Sequence, residues 1–383
     1  MKKSIPSLNG LRAISILIVI FSHVNLINYS GSLAHNTRFL DGQFGVTVFF
    51  IISGFLITTL LMKEEDRTGM ISLRNFYFKR ALRIFPVYFI LLAVYGLMQS
   101  MGILHFTTAS WLTSLTYTKN FHWHADWESA HFWSLSIEEQ FYLFWPLVFI
   151  YWQKHRAKFA FFIVVLSPVF RILGTRHQHL GFDQFSIFQR CDAIMWGCIF
   201  ALYQNEILHY IKTKTAGRKW MLVLPFLFLA LIDTFVQVNF IYNLHLGFLI
   251  VPIGNITGTL GCVAIATIII ISIHYSENLW FGFLNTRLLN YIGTLSYSLY
   301  IWQQVFFSHK VGVFSSVPMN LVMIFLVANC SYFFIEKPFL KLKSNVAEPV
   351  SLPSEPNIFD QLRATNDRID PTLLRKMSRE KAL

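Results

Sequence analysis

Long apolar runs alternate with short polar segments over most of the chain. Several runs are about 20 residues long, the length at which an α-helix crosses a hydrocarbon core of about 30 Å. We therefore predict an all-α fold, a polytopic integral membrane bundle of about ten transmembrane helices. The predicted spans are 12–29, 43–62, 82–101, 134–152, 158–173, 186–204, 220–238, 250–273, 288–307 and 317–335.

One stretch, 239–258, departs from this pattern. It contains Pro252, Gly254 and Gly258, and Gly261 follows it. Because proline and glycine weaken a helix interior, this stretch is a candidate for a broken or re-entrant segment.

Composition and charge agree with a membrane protein. Of 383 residues, 54% are hydrophobic and 14% are charged, against about 25% charged in a soluble domain. The net charge of +12 is concentrated in alternate loops, which the positive-inside rule places in the cytoplasm together with both termini. The excess of basic residues therefore indicates the membrane topology. We predict no nucleic-acid partner. The first apolar run lacks a small-residue cleavage site, which predicts an uncleaved anchor.

The pattern predicts two domains. Residues 1–345 form the membrane domain, and residues 346–383 form a polar, proline-containing cytoplasmic tail. Such a composition is typical of a solvated segment, and a role in partner binding stays open.

Two ionisable residues lie on the first predicted helix. Arg12 and His23 are 11 positions apart, which places them within roughly 20° of one face and about 16 Å apart along the axis. Ionisable side chains at membrane depth are usually functional. His23 can accept a proton from a hydroxyl or can be a hydrogen-bonded structural histidine. Arg12 can anchor the helix at the inner surface or bind an anionic ligand.

Two carboxylates lie near the start of the fourth predicted span. Glu138, Tyr142 and Trp145 share one helical face, whereas Glu139 points about 100° away. We expect only Glu138 to face the bundle interior, near the outer leaflet, where it would orient His23. The alternative is that both glutamates are interfacial and solvated.

Two arginine-containing segments are further candidates. Arg80 and Arg83 share a face at the predicted inner membrane edge. Paired guanidinium groups suit phosphate recognition, although positive-inside anchoring explains them equally well. Arg190 and Asp192, at the predicted outer side, can line an outer cavity or form a structural ion pair.

Two other patterns favour structural roles. Ser53 and Gly54 are small residues that permit close helix packing. His122 and His124 have a possible metal spacing, but no cysteine and few carboxylates accompany them, so we predict no metal site.

Seven ordered motifs together resemble the acyltransferase-3 family of integral membrane acyltransferases, which includes O-acetyltransferases of lipopolysaccharide, peptidoglycan and nodulation factors. They are the segment from Arg12 to His23, FFIISGFL (49–56), RALRIFP (80–86), WSLSIEEQFY (133–142), RCD (190–192), GTLSYSLY (293–300) and EKP (336–338).

The resemblance implies a function and assigns residues to it. A cytoplasmic acyl-CoA, acetyl-CoA in the commonest case, donates its acyl group to a hydroxyl of a glycan or lipid-linked glycan at a bacterial inner membrane. No permanently bound cofactor is implied. The family's essential histidine corresponds to His23 and its paired arginine to Arg12. The arginines that hold the CoA phosphates correspond to Arg80 and Arg83, and the acidic motif position to Glu138.

The chain departs from many members at two positions. It has Asn9 where they have Asp, and Gln303 where they have His. Because an amide does not titrate, His23 is left as the main base candidate. The family's optional hydrolase-like domain is not matched, so we expect a stand-alone form.

The sequence leaves mechanism and function class open between alternatives. The acyl group can pass directly in a ternary complex or through an acyl-His23 intermediate. A proton-coupled transporter or flippase is a rival that would use the buried Arg, His and Glu residues and the 252–261 stretch. A catalytically dead scaffold is a third reading. The ordered motifs and the lack of paired repeats favour the acyltransferase.

Overall fold

A computed structural model describes residues 5–28, 41–121, 126–176, 186–216, 218–237, 247–276 and 278–344. Within these residues the regular structure is helical, with no strand, which confirms the predicted all-α class. The predicted tail at 346–383 lies outside the described residues.

Fifteen α-helices are present in those residues. In chain order they are α1 (Leu8–Asn28), α2 (Gly42–Thr68), α3 (Leu73–Ser100), α4 (Thr108–Leu115), α5 (Trp127–Ala130), α6 (Phe132–Tyr151), α7 (Arg156–Arg176), α8 (Ile187–Leu202), α9 (Gln204–Thr215), α10 (Leu224–Gln237), α11 (Gly247–His274), α12 (Leu279–Leu284), α13 (Arg287–Phe307), α14 (Met319–Ser331) and α15 (Lys337–Ser344). A π-helical turn, Tyr332–Glu336, joins α14 to α15.

Every predicted span overlaps one of these helices, but the count of about ten membrane crossings is not confirmed. By length and apolar composition, five helical segments of the described chain can cross a membrane. They are Gly42–Thr68, Leu73–Ser100, Gln153–Gly174, Thr257–His274 and Met319–Leu342.

The predicted break near Pro252 is wrong for the part of that stretch that is described. Helix α11 continues from Gly247 to His274 through Pro252, Gly254 and Gly258, while residues 239–246 lie outside the described ranges. In an apolar environment an unpaired backbone group costs more than the poor helix propensity of proline or glycine, so the helix persists. The continuous helix also removes the feature that favoured the transporter.

Helix α1 lies between α2 and α13, and glycines allow the close approach on both sides. A Cβ atom at Gly293 of α13 would overlap the carbonyl oxygen of Asn9, and one at Gly45 of α2 would lie 2.6 Å from the carbonyl oxygen of Ser15. Farther along, the ring of His23 stacks on Phe307 with 5.6 Å between centroids. Helices α1 and α13 therefore run parallel in a constant register.

Helices α2 and α8 pack closely through a reciprocal glycine pair. A Cβ atom at Gly54 would overlap the carbonyl oxygen of Ile194, and one at Gly197 would overlap that of Ile51. Large apolar side chains such as Phe162, Val165 and Leu326 are exposed on the outside of the bundle, as expected of a surface that faces lipid.

Candidate active site

Five helices, α1, α2, α3, α6 and α13, line a cavity with about 810 Å³ of empty space, part of which is open to solvent. Apolar residues of α2, such as Phe49 and Phe50, form one wall. The polar side chains of the lining are Arg12, Ser53, Arg80, Arg83, Ser134, Glu138, Glu139, Tyr142, Ser296, Tyr297 and Tyr300. The structure therefore brings four of the predicted site residues, Arg12, Arg80, Arg83 and Glu138, around one space.

The three arginines of this cavity have unused hydrogen-bonding capacity. Among the described residues, none of Arg12, Arg80 and Arg83 has a carboxylate oxygen within 4.0 Å of its guanidinium nitrogens. The Arg80 guanidinium lies over the ring of Tyr142, 4.9 Å from its centroid, which fixes its direction without using its N–H groups. A cluster of partly buried, unpaired guanidinium groups is suited to an anionic ligand with several phosphates.

Glu138 is held by two hydroxyl groups. Ser53 Oγ donates to Glu138 Oε1 at 2.8 Å, and Tyr142 OH donates to Oε2 at 3.2 Å. Ser53, which the sequence assigned to helix packing, thus also binds the carboxylate across the α2–α6 contact.

The structure does not bring Glu138 to His23 as expected. In the part of the chain with described coordinates, no hydrogen bond joins these two residues, and His23 does not line the cavity. The reason is that Glu138 and His23 lie at different depths in the bundle. His131, which lies directly before α6, is near enough to His23 for their charges to interact. Glu138 follows seven positions later, about 10 Å farther along at 1.5 Å per residue.

Glu139 also lines the cavity, which corrects the expectation that only one carboxylate faces the interior. The cavity extends around α6 from α2 to α3, so it covers more than the 100° that separates neighbouring helical side chains. Glu138 faces Ser53 of α2, and Glu139 lies in the field of Arg80 of α3.

His23 lies beyond the cavity in an aromatic environment. Its ring stacks on Phe307 at 5.6 Å and meets the edge of Trp127 at 5.9 Å, centroid to centroid. The side-chain amide of Gln303 and the carbonyl group of Val19 lie next to it. The residue is half-buried, and its Nδ1 atom is buried with no hydrogen-bond partner among the residues that the structure describes.

The end of α13 holds Trp127 in place beside His23. Gln304 Nε2 donates to the Trp127 carbonyl oxygen at 2.9 Å, and Ser308 Oγ donates to Glu128 Oε1 at 2.7 Å. Sequence reasoning did not single out Trp127 or Gln304. The only available signal was the aromatic character of the loop that contains Trp127.

Tyr300 separates the cavity from the surroundings of His23. Its ring lines the cavity, its hydroxyl is 2.5 Å from Ser134 Oγ, and it donates to the His131 carbonyl oxygen at 3.2 Å. Tyr300 and Gln303 are three positions apart on α13, so one face of this helix runs from the cavity to His23.

Glu336 is a further residue whose place in the structure the sequence did not reveal. It ends the π-helical turn, is 2% exposed and accepts a hydrogen bond from Ser298 Oγ at 3.1 Å. Its carboxylate lies in the field of the Arg83 and Arg12 charges, although Glu336 does not itself line the cavity. Glu336 is therefore next to the arginine cluster, in a π-helical turn of the kind that often occurs at functional sites.

The remaining predicted candidates are structural or undescribed. Asp192 forms an ion pair of 2.8 Å with Arg171, and Arg190 donates to Gln43 Oε1 at 2.5 Å, which supports the structural alternative for that segment. The described residues contain no group of three or more His, Cys, Asp or Glu that could hold a metal ion. His122 and His124 lie outside the described ranges.

Comparison with known proteins identifies the family. Residues 5–335 match the acyltransferase-3 family profile, whose description is "Acyltransferase domain". A protein of Staphylococcus aureus (strain COL) named "Putative O-acetyltransferase" is 30% identical over 375 residues, which cover 88% of this chain and 57% of that protein. A peptidoglycan O-acetyltransferase of Listeria monocytogenes is 27% identical over 371 residues, 89% of this chain and 56% of the relative.

The chain thus spans little more than half the length of these relatives. No solved structure matches it. The family match covers most of the chain, so the chain belongs to the acyltransferase-3 family, and its long apolar helices are those of a membrane protein.

Proposed function

We propose that this acyltransferase moves an acyl group, acetyl in the simplest case, from cytoplasmic acyl-CoA to a hydroxyl of a cell-surface or lipid-linked glycan. The observation that carries the proposal is the cavity with Arg12, Arg80 and Arg83, whose guanidinium groups have no carboxylate partner within 4.0 Å among the described residues. Coenzyme A carries several phosphate oxygens on one end of a long flexible arm, and guanidinium groups bind such oxygens bidentately.

The donor would bind with its phosphates at the arginines and its arm along the apolar wall of α2. Phe49 and Phe50 provide that wall, and Tyr300 stands where the arm would leave the cavity. His23 lies about 16 Å from Arg12 along α1, so the thioester must pass Tyr300 to reach it. The arginines would thereby hold the phosphate end of the donor, while the reacting carbonyl group at its other end is placed near His23.

His23 would act as the general base. It removes the proton from the acceptor hydroxyl while the hydroxyl oxygen forms a bond to the thioester carbonyl carbon. The carbon–sulfur bond then breaks, and His23 gives its proton to the thiolate sulfur of the released coenzyme A. General-base assistance of this kind is worth roughly 10²–10⁴ in rate. An acyl-His23 intermediate is the alternative, and it would produce a burst of coenzyme A before steady state.

The acceptor is proposed from the relatives and from the site together. One relative is named a peptidoglycan O-acetyltransferase, which makes a glycan hydroxyl the natural acceptor class. The ring of His23 has aromatic neighbours, with Trp127 and Phe307 on two of its sides. Such surroundings suit a neutral, hydroxyl-bearing ligand.

The test is mass spectrometry of surface glycans from three otherwise identical strains. One strain carries the wild-type chain, the second carries His23→Ala, and the third carries neither. We expect an added acyl mass, about 42 Da for acetyl, only with the wild type, with both proteins present in the membrane at equal amounts. The same mass with His23→Ala would retain the acyltransferase and remove His23 as its base. An identical glycan profile in all three strains would overturn the proposed acceptor class.

A further inference from the structure

Several buried polar atoms near the outer ends of α1 and α13 lack hydrogen-bond partners. They are His23 Nδ1, His131 Nδ1, and both Oε1 and Nε2 of Gln303, each considered among the described residues only. Gln303 is 0% exposed, and its amide lies next to the ring of His23. His131 lies close enough to His23 for their charges to interact.

Such a concentration of unpaired groups requires an explanation. Each buried donor or acceptor without a partner costs about 1–3 kcal/mol, and native proteins contain few of them. An amide offers one acceptor oxygen and a donor nitrogen, and a neutral histidine offers one donor and one acceptor. The three side chains are therefore complementary in their hydrogen-bonding groups, and two hydrogen bonds among them would satisfy all four unpaired atoms.

We propose that Gln303 is a positioning residue for His23. Its Oε1 accepts the Nδ1–H of His23, and its Nε2 donates to Nδ1 of His131. This arrangement fixes one tautomer of His23 and directs the lone pair of His23 Nε2 toward the acceptor hydroxyl. The inference rests on the proposed function for the role of His23 as base, but the tautomer itself is measurable without any reaction.

The surroundings of His131 support the proposed donor and acceptor roles in these hydrogen bonds. His131 Nε2 is 3.2 Å from the carbonyl oxygen of Ile301. A carbonyl oxygen only accepts, so in the proposed tautomer Nε2 carries the proton for Ile301 and Nδ1 accepts from Gln303, in competition with the carbonyl group of Glu128, which also lies next to this ring. Burial, together with the nearby His23, lowers the pKa of His131 to about 3, so that this ring is neutral at physiological pH.

The exposed part of His23 agrees with the same arrangement. The residue is half-buried, while its Nδ1 is buried. The accessible edge of the ring is therefore on another side, where an acceptor can approach. The neutral amide also differs from the carboxylate that orients histidine in many hydrolases, because it carries no charge and therefore stabilises the imidazolium less than a carboxylate does.

The first test is nitrogen-15 NMR of the full-length protein, labelled at histidine and solubilised in detergent. The His23 signals are assigned by their loss in His23→Phe. For wild type we expect one neutral tautomer with the proton on Nδ1. Gln303→Met keeps the side-chain volume and removes the amide, and we expect it to give a mixture of tautomers. Trp302→Phe is the matched control, because it also removes a buried, unpartnered donor of α13, and it should leave the His23 signals unchanged.

The second test is steady-state kinetics with acetyl-CoA on the same variants. Gln303→Met should lower kcat at least about 10-fold, with KM for acetyl-CoA unchanged, since the donor phosphates bind elsewhere. Gln303→Glu should restore an oriented ring but shift the acid limb of the pH–rate profile upward by about one unit or more, because a carboxylate favours the imidazolium.

The outcomes separate this inference from the proposed function. A single Nδ1–H tautomer retained in Gln303→Met would overturn the positioning role, whatever the activity of His23 variants. Mixed tautomers in Gln303→Met, together with normal transfer by His23→Ala, would support the hydrogen-bonded chain and reject His23 as the base. An unchanged pH–rate profile in Gln303→Glu would show that the amide position does not contact the titrating group.

Discussion

Arg12 and His23 lie on one helix, about 16 Å apart along its axis, and of the two only Arg12 lines the cavity. Helix α13 follows α1 in parallel and reaches both places, with Ser296 in the cavity and Phe307 against His23. The site is therefore divided into an anion-binding part and a base, joined by two helices in fixed register. Changes in either part should affect different kinetic constants.

Loss of an arginine should weaken donor binding. Removing a charge-assisted hydrogen bond to a phosphate costs about 1.5–3 kcal/mol, so Arg80→Ala or Arg83→Ala should raise KM for acyl-CoA about 10- to 100-fold. The measurement is acyl transfer in isolated membranes at varied acyl-CoA concentration, with kcat at saturation close to wild type.

Arg74→Ala is the matched control for these arginines. It removes the same charge from an exposed position one to two turns earlier on α3, outside the cavity. Equal rises in KM for Arg74→Ala and Arg80→Ala would show a general surface-charge effect and contradict a phosphate site in the cavity.

The sequence allowed part of this arrangement to be predicted, for physical reasons. A helix must satisfy its backbone hydrogen bonds within lipid, so long apolar runs marked the helices, and α11 persisted even through Pro252. Arg80 and Arg83 share the cavity because a spacing of three places them on one helical face. Such local rules involve a single helix.

Contacts between distant segments were beyond these rules. Nothing local to Glu138 indicates that Ser53 donates to it, and its depth depends on where α6 begins relative to α1. Likewise, Trp127 reaches His23 only because Gln304 of α13 binds its carbonyl oxygen. Relations of this kind depend on how the helices pack, which no single periodicity encodes.

The hydrogen bond from Ser53 to Glu138 should contribute to stability. A buried hydrogen bond to a charged group is worth about 1.5–3 kcal/mol, so Ser53→Ala should lower the unfolding temperature in detergent, as should Tyr142→Phe. Thr59→Val in the same helix is the control, since among the described residues its hydroxyl bonds only to the Phe55 carbonyl oxygen of α2.

A double-mutant cycle makes this test specific. Because Ser53 and Glu138 are in contact, the effects of Ser53→Ala and Glu138→Gln should not add. Additive effects would mean that the serine stabilises the bundle only by its small size.

The close approach of α1 and α13 should not tolerate a methyl group. In Gly293→Ala the new Cβ would overlap the carbonyl oxygen of Asn9, and overpacking of this kind costs about 1–3 kcal/mol. Gly258→Ala is the opposite case, since nothing lies within 4 Å of the new Cβ. There alanine should be neutral or should stabilise α11 by roughly 0.5–1 kcal/mol.

Thermal unfolding of both glycine variants in the same detergent decides the matter. We expect a lower unfolding temperature for Gly293→Ala and an unchanged or higher one for Gly258→Ala. If both variants unfold at the wild-type temperature, the parallel α1–α13 contact is looser than the structure shows.

The segment that positions Trp127 should be sensitive to acid. Asp126, directly before α5, accepts hydrogen bonds from Ser110 and Ser129 and forms an ion pair of 2.8 Å with the buried Lys119. Burial opposes ionisation of Asp126, but these donors outweigh it and hold the pKa of the carboxyl below its usual 3.8. A carboxyl with a lowered pKa stabilises the fold above its unfolded-state pKa, and this contribution is lost as pH falls through the folded-state value.

The matching experiment compares wild type with Asp126→Asn across pH. The difference in unfolding temperature should be constant between pH 5 and pH 7 and should shrink as the pH falls below about 3.8, where the wild-type carboxyl begins to take up its proton. Glu206→Gln, a charge change on α9 far along the chain from this segment, controls for general acid effects. A wild-type advantage that persists unchanged to the lowest pH would show that the shape of the aspartate, and not its charge, holds α5 beside His23.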